Sequence, residues 1–133
     1  MKVNKYYKMT EQILKEYNYM LHVIKLINLE LEEETNTDHV SKLKYIKNKH
    51  EIIIKKIDIA INNLSPLHRE IIEYKYIKKL SWNEIIDKTC YSERSLRNKK
   101  NEAVRCIAIA LFGVNVFKEE KYDLFNLIEN NCR

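Results

Sequence analysis

Glycine and proline are nearly missing from this chain of 133 residues, which holds one of each. Average composition at this length would bring roughly nine glycines and six or seven prolines. All-β folds need glycine-rich turns, and phosphate-cradling loops need two or three glycines in a short window. One glycine builds neither, so all-β folds, dinucleotide folds and P-loop enzymes are excluded, together with collagenous and Gly/Pro-rich disordered chains. Cysteine is scarce and odd in number. Cys90, Cys106 and Cys132 lie far apart with no Cys-x-x-Cys, which is not a disulfide framework. The four histidines (His22, His39, His50, His68) have no i, i+4 partner and no neighbouring cysteine, so no metal site is expected. No apolar run is long enough for a transmembrane helix. The first seven residues lack the apolar region of a secretory signal, and a cytoplasmic protein with no membrane partner is expected. There is no paired-carboxylate cleft, no Ser-His-Asp order with supporting glycine and no nucleotide loop. The expectation is a non-enzyme without cofactor or small-molecule substrate.

What is present is charge, apolar periodicity and a local excess of arginine. The chain carries 24 Lys+Arg against 19 Asp+Glu, a net +5, with 45% hydrophobic and 32% charged residues. That composition belongs to helix-rich globular chains. Residues 1–63 hold a net +2, residues 64–113 a net +4 and residues 114–133 a net −1. Five of the basic residues are arginine, and Arg94, Arg97 and Arg105 fall within twelve positions. Arginine's planar fork bonds phosphate and guanine edges twice, so this local excess points to nucleic acid, against the alternative of a solvated helix face.

The spacing predicts an all-α fold. From about Asn4 to Glu34, Ile13, Tyr17, Met20, Ile24, Ile27 and Leu31 step by four and three, a heptad-type seam in a helix about 45 Å long. Glu34 to Asp38 breaks it, and Thr37 or Asp38 is the expected cap of a second helix reaching about Asn63. Its seam is Leu43, Ile46, His50, Ile53, Ile57 and Leu64, and His50 is assigned no chemistry. The two helices form an N-terminal hairpin over 1–63. Ser65-Pro66 then places a hydroxyl at an N-cap and proline at the first helical position, opening a helix to about Ile77. Ser81 with Glu84 three residues on is a capping box for a short helix to about Lys88. Ser92 caps a last long helix to about Phe112, and Gly113 stands where a left-handed cap belongs. Residues 114–133 are read as a tail or one more amphipathic helix (Phe117, Leu124, Phe125, Ile128).

A short helix, a three-residue turn and a long arginine-bearing helix make a helix-turn-helix. Advancing 100° per residue from a buried Leu96 puts Ala103, Ile107 and Leu111 on the core face. Arg94, Asn98, Asn101 and Arg105 point outward, with Arg97 and Lys100 at the flanks. Arg and Asn are the side chains suited to guanine and adenine edges in the major groove. The free N–H groups at Ser92 and Ser81 suit phosphate.

The strings Leu64-Ser65-Pro66, Ile71-Ile72-Glu73-Tyr74-Lys75-Tyr76, Leu80-Ser81-Trp82-Asn83-Glu84-Ile85 and Tyr91-Ser92-Glu93-Arg94 resemble region 4 of sigma-70-type factors. With the Leu111-Phe112-Gly113 ending, residues 64–113 look like the RinA/ArpU-type late-gene regulators of phages and prophages. The resemblance implies a sigma region 4-like helix-turn-helix and control of late-gene transcription. It implies base reading by Glu93, Arg94, Arg97 and Asn98, with Asn101 nearby. Lys78, Lys79, Ser81, Asn83, Ser92, Lys100 and Arg105 are the expected phosphate contacts. Two positions depart from the pattern. Ile86 replaces a small alanine, which implies a wider helix crossing, and Cys90 replaces a turn glycine, which asks a non-glycine residue for a positive φ.

The expected function is a sequence-specific double-stranded DNA-binding transcription regulator. The alternatives are a module docking on RNA polymerase and a small terminase-like packaging adaptor. A homodimer would double the base contacts, and the long N-terminal seam is its candidate interface, unless the two hairpin seams simply bury each other.

Overall fold

A computed structural model describes residues 5–113. They are all α-helical, with no strand among the described residues. The order is α1 (Lys5–Lys15), α2 (Tyr17–Glu33), α3 (Thr37–Asn62), α4 (Pro66–Ile72), a π-helical turn (Glu73–Ile77), α5 (Trp82–Thr89) and α6 (Glu93–Phe112). The expected helix over 114–133 lies outside the described residues. Among those described, no helix is long and apolar enough to cross a membrane.

The single long first helix expected from the heptad spacing is two helices. The backbone turns at Glu16 (φ −92°, ψ 1°), whose N–H is shared between the carbonyls of Gln12 and Ile13 at 3.1 Å each. Sequence gives no breaker there. Burial does: Thr10 and Leu14 are fully buried on α1, whereas α2 buries Met20 and Ile27. The two halves of one apolar seam face different partners, α6 for α1 and α3 for α2. Thr10 hydrogen-bonds back to the Tyr6 carbonyl at 2.7 Å, which satisfies its buried hydroxyl and favours bending.

The cap of α3 is Asn36 and not Thr37 or Asp38. Its side chain accepts from the N–H groups of Asp38 and His39 at 3.0 and 3.2 Å. A short amide fits this role as well as a hydroxyl or carboxylate. Along α3 the predicted seam holds at Leu43, Ile57 and Leu64, which are buried, but Ile46 remains 41% exposed. His50 uses its ring on the Ile46 carbonyl, at 2.8 Å.

Ser65 and Pro66 start α4 as expected, but the Ser65 hydroxyl makes no capping bond. It hydrogen-bonds His68 Nδ1 instead. The widened turn after Ile72 was not foreseen. Lys78 N–H bonds the Glu73 carbonyl at 2.8 Å and Leu80 N–H bonds the Tyr74 carbonyl at 2.9 Å, with Lys79 at φ 55°. Gly113 has the positive φ expected of it (63°), but its ψ of −138° lies outside the left-handed helical well, in a region essentially reserved for glycine.

Two apolar clusters hold the helices. The smaller is local to the helix-turn-helix: Ile71, Ile85 and Leu96, with Leu67, Tyr74, Leu80, Trp82 and Ile86 packed on it. The larger gathers Leu14, Met20, Ile54, Ile57, Ile72, Tyr76, Ala103, Val104 and Ile107, among others. It runs straight across position 63, so the hairpin and the following helices share one core.

Candidate nucleic-acid interface

The turn between α5 and α6 is built locally. Ser81 closes a complete capping box: its Oγ accepts from Glu84 N–H at 3.2 Å, and its own N–H donates to Glu84 Oε1 at 3.3 Å. α5 ends on Cys90 at φ 62°, ψ 15°, the left-handed conformation that the missing turn glycine would otherwise supply. Ser92 then caps α6 by accepting from Ser95 N–H at 3.2 Å. Leu96 is fully buried behind the turn, as are Ala103 and Ile107 about two and three turns further on the same face.

The first turns of α6 present Arg94 and Asn98 opposite them and Glu93 and Arg97 at the flank, all exposed. Ser92, Arg94, Ser95, Asn98, Lys99 and Glu102 line a shallow open groove along this helix. Arg97 is held rather than loose. Its guanidinium carbon lies 5.0 Å from the Trp82 ring centroid, and its Nε lies 3.6 Å from Glu93 Oε2. Lys75 Nζ sits over the same indole at 4.6 Å. Burial, and then the charge of Arg97, hold the Lys75 ammonium below the usual lysine pKa. Trp82 is thus a half-buried platform for two cations, a role its place in the sequence did not announce.

Further along α6 the predicted face changes character. Asn101 accepts from the Tyr7 hydroxyl at 2.7 Å. Lys100 donates to the Tyr7 hydroxyl at 3.0 Å and to Glu11 Oε2 at 3.3 Å, and Tyr76 OH donates to the same Glu11 oxygen at 2.6 Å. Lys100 is 14% exposed at its side chain, and Asn101 and Arg105 are half-buried. The cause is α1, which turns at Glu16 and lies along α6. Burial works against the Glu11 carboxylate, but the Tyr76 hydroxyl and Lys100 ammonium outweigh it and hold its pKa below the ordinary carboxylate value. Burial and Glu11 push the Tyr76 phenol up. Tyr7, Glu11, Tyr76, Lys100 and Asn101 therefore form an interhelical network that one-helix geometry could not reveal, because its members come from three elements.

The remaining predicted positions are exposed at the α5 side. Lys78 Nζ lies 5.3 Å from the Tyr74 ring centroid, Lys79 Nζ donates to the Lys15 carbonyl at 3.0 Å, and Ser81, Asn83 and Ser92 are open to solvent. Two polar clusters were missed by sequence reasoning. Buried His68 bridges Ser65 to Glu102, with Nε2 2.9 Å from Glu102 Oε2, and so ties the start of α4 to α6. At the hairpin tip, His39 Nε2 lies 2.8 Å from Glu30 Oε1 and 3.8 Å from Glu34 Oε2. A spacing test is blind to both, since the partners meet through the fold. No family model matches the chain, and no curated protein and no solved structure matches it.

Proposed function

We propose that this protein is a sequence-specific double-stranded DNA-binding regulator of transcription, with the first turns of α6 in the major groove. One observation carries the reading. Glu93, Arg94, Arg97 and Asn98 are exposed together on a capped helix whose opposite face, at Leu96, Ala103 and Ile107, is fully buried. A rigid helix with Arg and Asn on its free face suits base edges, and the exposed Lys78, Lys79, Ser81 and Asn83 beside it suit the phosphates of the same groove. Trp82 and Glu93 restrain Arg97 before any ligand arrives, which lowers the ordering cost of a bidentate contact. Lys100 and Asn101 serve the α1–α6 contact in this reading, and base contacts concentrate on residues 93–98. The late-gene role rests on the resemblance of residues 64–113 to phage regulators.

The test is selection of a binding site from a random duplex library, followed by affinity measurements at fixed salt. Arg94→Ala and Arg97→Ala should each weaken specific binding by about 1–3 kcal/mol and relax preference at one base pair. Both variants should stay folded, Arg94→Ala at the wild-type melting temperature and Arg97→Ala losing about 0.5–1 kcal/mol with its contact to Trp82. Unchanged operator affinity in both would remove residues 93–98 from the interface.

A further inference from the structure

The helices α2 and α3 meet along one inner seam. Two helices alone are half of a four-helix bundle, and each keeps faces that its single neighbour cannot cover. Large apolar side chains do stay exposed there, Tyr19, Leu26, Leu29, Ile46, Ile52 and Ile59 among them. Their placement is one-sided near the seam. Advancing 100° per residue from the buried positions, one side of the hairpin receives Asn28 and Glu32 from α2 and Lys47, Glu51 and Asp58 from α3. The 2.7 Å hydrogen bond from Tyr17 to Asp58 spans this polar side. The other side receives Tyr19, Val23 and Leu26 from α2 and Ile46 from α3, with Glu30, Lys42 and Lys49 along it, while Ile53 on the same side packs against the chain's own core. On it Tyr19 is 64% exposed, Leu26 51% and Ile46 41%.

We propose that this apolar side binds a second copy of the chain, forming a four-helix bundle from two hairpins. Charge selects both the occupant and the arrangement. Toward this side α2 carries Glu30 and Glu33, whereas α3 carries Lys42, Lys49 and Lys56. The antiparallel hairpin brings Glu30 to His39 and Tyr17 to Asp58. Between these two fixed points Leu26 is about level with Ile46 and Tyr19 with Ile53, and Lys42 lies within one turn of the level of Glu30. A two-fold axis parallel to the hairpin lays α2 of one copy over α3 of the other at the same level. Leucine then meets isoleucine, and Glu30 meets Lys42, twice over. An axis across the hairpin would stack acidic α2 on acidic α2 and basic α3 on basic α3. The favoured arrangement leaves both α6 helices at the same end of the dimer. It stands apart from the DNA reading, since its test needs no DNA.

The experiment is sedimentation equilibrium of the full chain at micromolar concentration, with helicity followed by circular dichroism. Wild type should sediment at twice the chain mass. Leu26→Glu and Ile46→Glu should each sediment at one chain mass with helicity kept, and Asn28→Glu on the polar side should remain dimeric. Glu30→Lys and Lys42→Glu should each weaken the dimer about tenfold, as the loss of two surface ion pairs does, and the two together should restore it. A monomeric wild type, or a dimer that survives both apolar-to-Glu changes, overturns the interface. A double charge swap no tighter than either single swap overturns the pairing of α2 with α3 of the second copy. Because the charge swaps touch no apolar contact, they decide the matter even where a Glu variant loses helicity.

Discussion

At the scale of single residues, polar side chains fix the geometry that apolar burial leaves open. Tyr17 donates to Asp58 Oδ1 at 2.7 Å across the hairpin. Burial and that carboxylate push its phenol from 10.0 up to about 12. The folded state thus keeps its proton where the unfolded chain loses it. The contribution is fully present below pH 10.0 and is lost as pH rises through about 12, because the unfolded chain binds fewer protons in that window. Urea unfolding followed from neutral pH into that window should show a steeper alkaline loss for wild type than for Tyr17→Phe, and equal slopes would remove the hydrogen bond from the account. Legibility at this scale was mixed. Arg94, Arg97 and Asn98 are exposed as helix geometry demanded. Asn101 and Lys100 are taken up by Tyr7 and Glu11, because an angle about one helix says nothing of a second helix lying against it.

At the scale of elements, caps decide where helices begin, and here the structure separates near-equal candidates. Asn36, Thr37 and Asp38 are all good cap residues, yet only Asn36 has the extended backbone (φ −75°, ψ 115°) that aims its side chain at the free N–H groups. Asn36→Ala should cost about 1 kcal/mol in chemical denaturation, and Thr37→Ala only a few tenths. A larger loss from Thr37→Ala would move the cap. The starts at Pro66, Trp82 and Glu93 were legible because Ser-Pro, Ser-x-x-Glu and Ser are local signals with local physics. The turn at Glu16 was not, since both halves of that seam are good helix and only their different partners separate them.

At the scale of the whole molecule, the larger core joins Leu14, Met20 and Ile57 to Ile72, Ala103 and Ile107. Hairpin and helix-turn-helix should therefore melt together. The one tryptophan, Trp82, sits in the smaller cluster beside α6 and reports on the helix-turn-helix alone, while far-ultraviolet circular dichroism reports on all helices. The two transitions should coincide, and Ile57→Ala should lower both by the same amount, about 2–5 kcal/mol. A tryptophan transition unmoved by that substitution would show two independent units instead of one.

The sequence by itself determined the class and the local code. With one glycine and one proline, helices were the only regular structure open to the chain. Periodicity and serine caps placed most of them, and Arg94 and Arg97 fell on the exposed side of α6 because 100° per residue is a property of the backbone. The tertiary structure decided what no local rule contains. It set the break at Glu16, the covering of Lys100 and Asn101 by α1, the Trp82 platform under Arg97, and the burial of the N-terminal seam inside the chain, which leaves its other side open. Each of these depends on which apolar faces compete for the same partner, and that competition is settled only when all the helices are packed at once.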